Sequence, residues 1–329
     1  LAIPFFTFMG LILERSGMAE DLLDTVGQLF GPVRGGIAYA VILVGALLAA
    51  TTGVVAASVI AMGLISLPIM LRYGYDRRVA SGVIAASGTL AQIIPPSLVL
   101  IVMAGQLSVD LGKMYTGAFV PGLVLTGLYM LYVFILTLIY PNVAPALPIE
   151  ARTLGKGVTS LLICVLLSTA LGYAFMEWFT HLAVANGWDR VSASLAIPAR
   201  YKIWWAAAAV VIAYIFAILN RELKLGLLSR LAQQVIVVLM PPLALVFLVL
   251  GTIFLSIATP TEGGAMGALG ALLLAVIKRR LDFSLLRQAL EATTKLSAFV
   301  MFILIGAAVF RVVFYGVSGQ HWVEGMLLS

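Results

Sequence analysis

Two uncharged stretches, residues 118–140 and 234–257, are apolar from end to end. A helix needs roughly 20 such residues to cross a bilayer. Further apolar segments lie at about 1–13, 37–50, 54–71, 79–105, 158–176, 203–219, 263–278 and 297–314. In lipid every backbone N–H and C=O must be paired inside the protein, which leaves helices or closed barrels. A barrel would read as short strands of alternating polarity, and these runs do not alternate. Of the residues, 62% are hydrophobic and only 10% charged, against about a quarter charged in a soluble domain. The expected class is an all-α polytopic membrane protein.

The remaining composition narrows the function. A net charge of +6 is what cytoplasmic loops of a membrane protein supply, so it gives no reason to expect nucleic acid. The single cysteine, Cys164, sits in an apolar run and reads as a packing residue; one thiol makes neither an intrachain disulfide nor a thiolate metal cluster. His181 and His321 are far apart and show no acidic or cysteine partner at ligand spacing. No P-loop, GxSxG or HExxH occurs, and no acid–base pair lies at membrane depth. An enzyme is therefore not expected.

Charge sets a topology. Arg34 precedes the 37–50 and 54–71 pair, and Arg72, Arg77 and Arg78 come after it. Both flanks are thus assigned to the cytoplasm by the positive-inside rule. The two short arms, joined at Thr51-Thr52-Gly53, fit a re-entrant hairpin entering and leaving on one side. Residues 18–30 and 282–296 carry Leu and acidic or polar groups at helical spacing, and read as helices in the interface plane or as ordinary connectors. A weak echo links 5–23 with 302–328, running in opposite senses across the membrane, as an inverted repeat would.

Three places hold candidate chemistry. In "ASGTLAQIIPPS", Pro95-Pro96 removes two amide donors and breaks or sharply kinks the 79–105 segment, a kink packed against neighbours being the plainer alternative, while Ser87, Gly88, Thr89, Gln92 and Ser97 surround the pair with hydroxyls, an amide and free backbone. In "ATTGVVAAS", Thr51, Thr52 and Gly53 form the hairpin tip and Ser58 lies one turn into the return arm. Such a pair offers hard oxygen ligands for sodium and helix ends for a carboxylate, though polar glue between helices is the structural alternative. In "ATPTEGGAMGALGALL", Pro260 ends or starts a helix, Thr259 or Thr261 can cap an N-terminus there, Glu262 would sit in its first turn, and small residues allow close packing. These four residues, Thr259 to Glu262, read as structural or gating groups.

These stretches, together with "IPFFTFMGLILERSGMAEDL" and "GYDRRVASGVIAASGTLAQIIPPS", resemble in family order the large membrane subunit of tripartite ATP-independent periplasmic (TRAP) transporters. The resemblance implies an elevator-type fold of the ion-transporter superfamily in the bacterial inner membrane. It implies sodium-driven import of an organic acid, a periplasmic substrate-binding protein and a small membrane subunit as partners, and no cofactor beyond Na+ as coupling ion. Carried over, it places sodium at Thr52, Gly53, Ser87, Gly88 and Thr89. Substrate candidates are Thr51, Ser58, Gln92, Pro95, Pro96 and Ser97. The tip reads Thr52-Gly53-Val54-Val55 where many members have Ser-Gly-Ser-Ser, which looks closer to the branch labelled for mannitol or chloroaromatic compounds. A stand-alone elevator carboxylate transporter and a non-transporting membrane scaffold are the other readings.

The expected organisation is a first helix and cytoplasmic arm (1–36), half of a transport domain (37–113, with hairpin 37–72 and broken helix 79–105), and connecting helices (114–230) with an apparent two-helix insertion at 151–230. Then come the TPTE helix pair with an amphipathic segment (231–296) and the start of a second inverted repeat (297–329). The chain is expected to be part of a longer protein whose second hairpin and second Pro-Pro helix would lie beyond Ser329.

Overall fold

The computed structural model describes residues 2–52, 55–107, 109–154, 158–185, 210, 212–223, 228–255 and 257–327. Among these the secondary structure is helical throughout, with no strand. The elements are α1 (Ala2–Arg15), α2 (Met18–Leu29), α3 (Gly36–Thr52), α4 (Val55–Arg72), α5 (Arg77–Thr89), a 3-10 turn (Leu90–Gln92), α6 (Leu98–Leu107) and α7 (Leu111–Ile139). A second 3-10 turn (Ile149–Ala151) precedes α8 (Val158–Ala185) and a helical stretch at 212–222. The chain closes with α9 (Arg230–Phe254), α10 (Pro260–Ile277), α11 (Phe283–Gly316) and α12 (Gly319–Leu327). α7, α9, α10 and α11 are long and apolar enough to cross a membrane, and 36–48, 58–72, 98–107 and 158–174 are shorter apolar helices. This is a polytopic all-α membrane protein.

Two cores organise it. One is built from α2, α3, α4 and α5 and includes Leu22, Ile42, Met62, Met70 and Ile84, closed below by Val133, Ala144 and Leu147. Over residues 36–48 α3 has no polar face, and its side chains there are buried or half-buried, as such a helix must be. The other core joins α1, α9, α10 and α11 through Phe6, Met9, Leu245, Val249, Ala271 and Ala289. Small residues on α10 let these helices approach: a Cβ on Gly267 would meet Val249 Cγ2 at 2.9 Å, and one on Gly264 would meet Phe5 Cβ at 3.1 Å. α8 and the 212–222 helix pack on α9 through Cys164, Ala217, Ala232 and Ile236, so the cysteine is a packing residue.

The base of the α3–α4 pair is sewn together by the segment after α7. Gly35 N–H donates to Ala144 O (2.9 Å), Asp76 N–H to Val143 O (2.9 Å) and Leu147 N–H to Gly31 O (2.9 Å). Gly35 sits at φ +76°, a left-handed conformation that favours glycine. Tyr75 adds a side-chain stitch, its hydroxyl accepting from Ile37 N–H at 3.1 Å in the first turn of α3. Asp76 caps α5 by accepting from Arg78 N–H at 2.8 Å.

Two expectations change here. The 282–296 stretch does not lie apart as an interfacial helix. It is the first part of α11, which runs unbroken from Phe283 to Gly316 across the expected 296/297 boundary. No glycine or proline occurs between 283 and 305 to stop it. His321, expected to lack an acidic partner, has its Nδ1 3.5 Å from Glu324 Oε2, one turn along α12. Residues 5–23 and 302–327 each run through a helix, a two-residue turn with a left-handed residue (Gly17 at φ +72°, Ser318 at φ +55°) and a short helix.

The chain also holds a second double proline, and it behaves differently. Pro241-Pro242 lies inside α9, which continues through it. Pro95-Pro96 separates α5 from α6. The residues just downstream of each pair also differ. Ser97 supplies a hydroxyl that takes a freed carbonyl and restarts the helix. Leu243-Ala244-Leu245 offers no such group and favours helix.

Candidate functional site

The break in the α5–α6 segment is a small device built from three residue types. Prolines at 95 and 96 cannot donate, so the carbonyls of Ala91 and Gln92 lose their helical partners. The Gln92 carbonyl is recovered by Ser97 Oγ, which donates to it at 2.7 Å. The same Oγ accepts from Leu100 N–H at 3.4 Å, which starts α6. The last turn of α5 tightens into the 3-10 turn, where both Ile93 N–H and Ile94 N–H donate to Leu90 O. Ile94, Pro95, Pro96 and Ser97 are buried, whereas Thr89 and Gln92 are exposed. The break thus has a packed back and an open front. At its edges two helix ends of opposite sign face one another in sequence: the carbonyl end of α5 and the amide end of α6.

The hairpin arms grip the end of α5. A Cβ on Gly45 of α3 would lie 2.7 Å from Ser87 Cβ. One on Gly88 would collide with Val59 Cγ2 of α4 and stand 3.2 Å from Val59 N. Glycine at these points is what lets the three helices meet at backbone distance. Ser87 and Ser58 are both buried at this crossing, and Ser87 Oγ donates to Ile84 O at 2.9 Å. Thr89 Oγ1 donates back to Ala86 O at 2.7 Å.

Of the expected site residues, the structure brings together Ser58, Ser87, Gly88, Thr89, Gln92, Pro95, Pro96 and Ser97. Thr51 and Thr52 form the last turn of α3, but their side chains, and Gly53 altogether, lie outside the described residues. The Thr259–Glu262 group is elsewhere. Its helix packs on α1 and α9 rather than on α5 or α6. There Thr259 and not Thr261 is the cap: Thr259 Oγ1 accepts from Glu262 N–H at 3.3 Å, and Thr259 N–H donates to Glu262 Oε2 at 2.7 Å. This reciprocal pair is a capping box.

Tyr129 of α7 is a neighbour that no motif in the sequence singles out. Its hydroxyl lies 3.4 Å from Thr89 Oγ1, and its ring packs beside Leu90, Ala91 and Ile94. A tyrosine in an uncharged span carries no local signal; only the fold brings it to the break. α7 also fits the back of the break, where Gly122 leaves room for Ile94.

The family described as "Tripartite ATP-independent periplasmic transporter, DctM component" matches residues 1–329. The chain is 36% identical over 148 residues to the C4-dicarboxylate TRAP transporter large permease protein DctM of Pseudomonas aeruginosa, covering 45% of this chain and 34% of that protein. The Vibrio cholerae protein of the same name is 36% identical over 137 residues, 42% of this chain and 30% of that one. The 2,3-diketo-L-gulonate TRAP transporter large permease protein YiaN of Escherichia coli is 30% identical over 131 residues, 40% and 31% respectively. The chain thus spans about a third of the length of these relatives. They give no support to the mannitol or chloroaromatic branch expected from the tip sequence. The match over all 329 residues settles membership: the chain belongs to the DctM family of TRAP transporter large permease components.

Proposed function

We propose that this chain serves as the membrane permease subunit of a sodium-coupled secondary transporter in the bacterial inner membrane, moving by an elevator mechanism. It imports an organic acid delivered by a periplasmic binding protein, with a small membrane subunit completing the complex. The observation that carries this reading is the interrupted helix at 93–97 held between the arms of the α3–α4 pair. Discontinuous helices of this kind are how transporters expose backbone oxygens and helix ends at membrane depth.

The chemistry divides by sign. A cation is favoured at the carbonyl end of α5, with the Ala91 carbonyl and the hydroxyls of Ser87 and Thr89 as oxygen donors. Gly88 keeps the ligand-bearing turn close to the arms, and Thr52 and Gly53 at the arm's end would complete the shell. The carboxylate of the substrate is favoured at the amide end of α6, beside Ser97. Thr51, Ser58 and Gln92, with the Pro95-Pro96 backbone, would line its path. Relatives named for C4-dicarboxylate, isethionate, 2,3-diketo-L-gulonate and sialic acid support an acid as the substrate class.

The test is uptake by the complete complex in proteoliposomes with an imposed sodium gradient. Uptake should require external sodium, and Thr89→Ala should raise the sodium concentration for half-maximal rate. Uptake of the same rate in sodium-free medium would overturn the reading.

A further inference from the structure

The seam at the base of the α3–α4 pair gathers charge that the protein leaves unused. Arg34 and Arg77 each stand one residue from Gly35 and Asp76, which bond to the adjacent carbonyls of Ala144 and Val143. Arg72 ends α4, and Arg78 comes next after Arg77 in the first turn of α5. All four arginines are exposed, and among the described residues none of their side chains makes a hydrogen bond or ion pair. Arg221, Arg230 and Arg279 are likewise without side-chain partners among the described residues but stand apart from the seam in sequence, whereas several other arginines are engaged. Arg280 binds Ser16 O and Asp21, Arg287 binds Glu291, Arg15 binds Gln288, and Arg152 donates twice to Leu147 O. The acids beside the seam are Asp76, whose carboxylate already accepts from Arg78 N–H, and Glu150.

The segments of the seam also carry exposed apolar side chains: Val33 just before α3, Leu71 in the last turn of α4, Tyr140 just after α7 and Ile149 in the second 3-10 turn. Unpaired guanidinium groups over an apolar rim match a phospholipid headgroup with its acyl chains below. An acidic soluble partner would match the charge and leave the apolar rim unexplained.

We propose that this seam is a binding site for anionic phospholipid headgroups, with Arg34, Arg72, Arg77 and Arg78 on the phosphates and Val33, Leu71 and Tyr140 on the chains. The site arises from the membrane fold and does not depend on which solute the protein transports.

The experiment is native mass spectrometry of the full chain in detergent, titrated with dioleoyl phosphatidylglycerol and, separately, dioleoyl phosphatidylcholine. The wild type should retain phosphatidylglycerol preferentially. Each arginine near an anionic surface contributes about fivefold to binding, so R34Q/R77Q should lower phosphatidylglycerol retention by about 25-fold and leave phosphatidylcholine unchanged. Raising salt from about 0.05 to 0.5 M should weaken retention by the wild type and barely affect the quadruple Arg→Gln variant, because screening acts on these charges. As a charge control, R279Q/R311Q should change retention less than twofold. An unchanged lipid preference in R34Q/R77Q overturns the site. So does an equal loss of both lipids, which would mark damage to the fold, or an equal loss in R279Q/R311Q, which would mark net charge alone.

Discussion

Gly88→Ala tests whether the end of α5 is held at backbone distance by the hairpin. The added Cβ would overlap Val59 Cγ2 and stand 3.2 Å from Val59 N and 3.3 Å from its Cα. A methyl can rotate or shift, but the backbone of α4 behind it is fixed by its own helix. Overpacking of this kind costs ~1–3 kcal/mol. Alanine recovers ~0.5–1 kcal/mol of helix preference over glycine, so the net destabilisation is centred on roughly 1 kcal/mol, within a span of about 0–2.5. Gly82 supplies the control on the same helix: nothing lies within 4 Å of its Cβ position. Gly82→Ala should therefore stabilise by about 0.5–1 kcal/mol. Val59→Ala removes the colliding Cγ2 but leaves the backbone. In the Gly88→Ala/Val59→Ala double variant about 1 kcal/mol should return as a favourable coupling. The assay is equilibrium unfolding in mixed micelles, run on all four variants. If Gly88→Ala stabilises as Gly82→Ala does, or its cost is unchanged beside Val59→Ala, the close crossing of α4 and α5 is wrong.

Ser97→Ala should cost about 1–2 kcal/mol in the same assay, because the Gln92 carbonyl loses its 2.7 Å donor and α6 loses the hydroxyl at its start. Thr259→Ala should cost about 1 kcal/mol through loss of the capping box, without shifting sodium dependence. Burial pushes the Tyr75 hydroxyl up to about 12. Its folded pKa is above the unfolded value, so its contribution is fully present below about pH 10. That contribution fades as pH rises through about 12, and two units correspond to roughly 3 kcal/mol. Tyr75→Phe should abolish this part of the alkaline loss and lower stability at neutral pH by ~1 kcal/mol, the Ile37 N–H being left without its acceptor. A wild type and Tyr75→Phe pair with parallel profiles from about pH 9 to 12 would remove Tyr75 from the seam.

What the sequence made legible was local. Apolar length announced the spanning helices, and Pro95-Pro96 announced the break, because a missing donor acts within four residues. The capping box could be placed to within a choice of two threonines for the same reason. What stayed hidden was tertiary. Pro241-Pro242 carries the same proline signal as Pro95-Pro96, yet both prolines are buried inside α9 and the helix runs on. The amphipathic pattern at 282–296 correctly marks a half-exposed helix. It cannot say that the helix continues into 297–316, because polarity changes there while geometry does not. Tyr129 and the 140–147 segment reach the hairpin from far along the chain, and no periodicity in their own neighbourhoods encodes that.

The seam has a consequence for how the protein is made. Gly31, Gly35 and Asp76 wait for partners at residues 143–147, which leave the ribosome only after the hairpin, the broken helix and α7 have all been synthesised. Until then the hairpin base has open backbone groups and cannot be locked. Once residue 147 has been made, the three backbone bonds of the seam can close. Residues 151–230 begin just beyond that point. The last of these bonds is made at Leu147, and the Gln28 side chain reaches Ala151 O at 3.0 Å, so segments added beyond residue 151 would interrupt none of them.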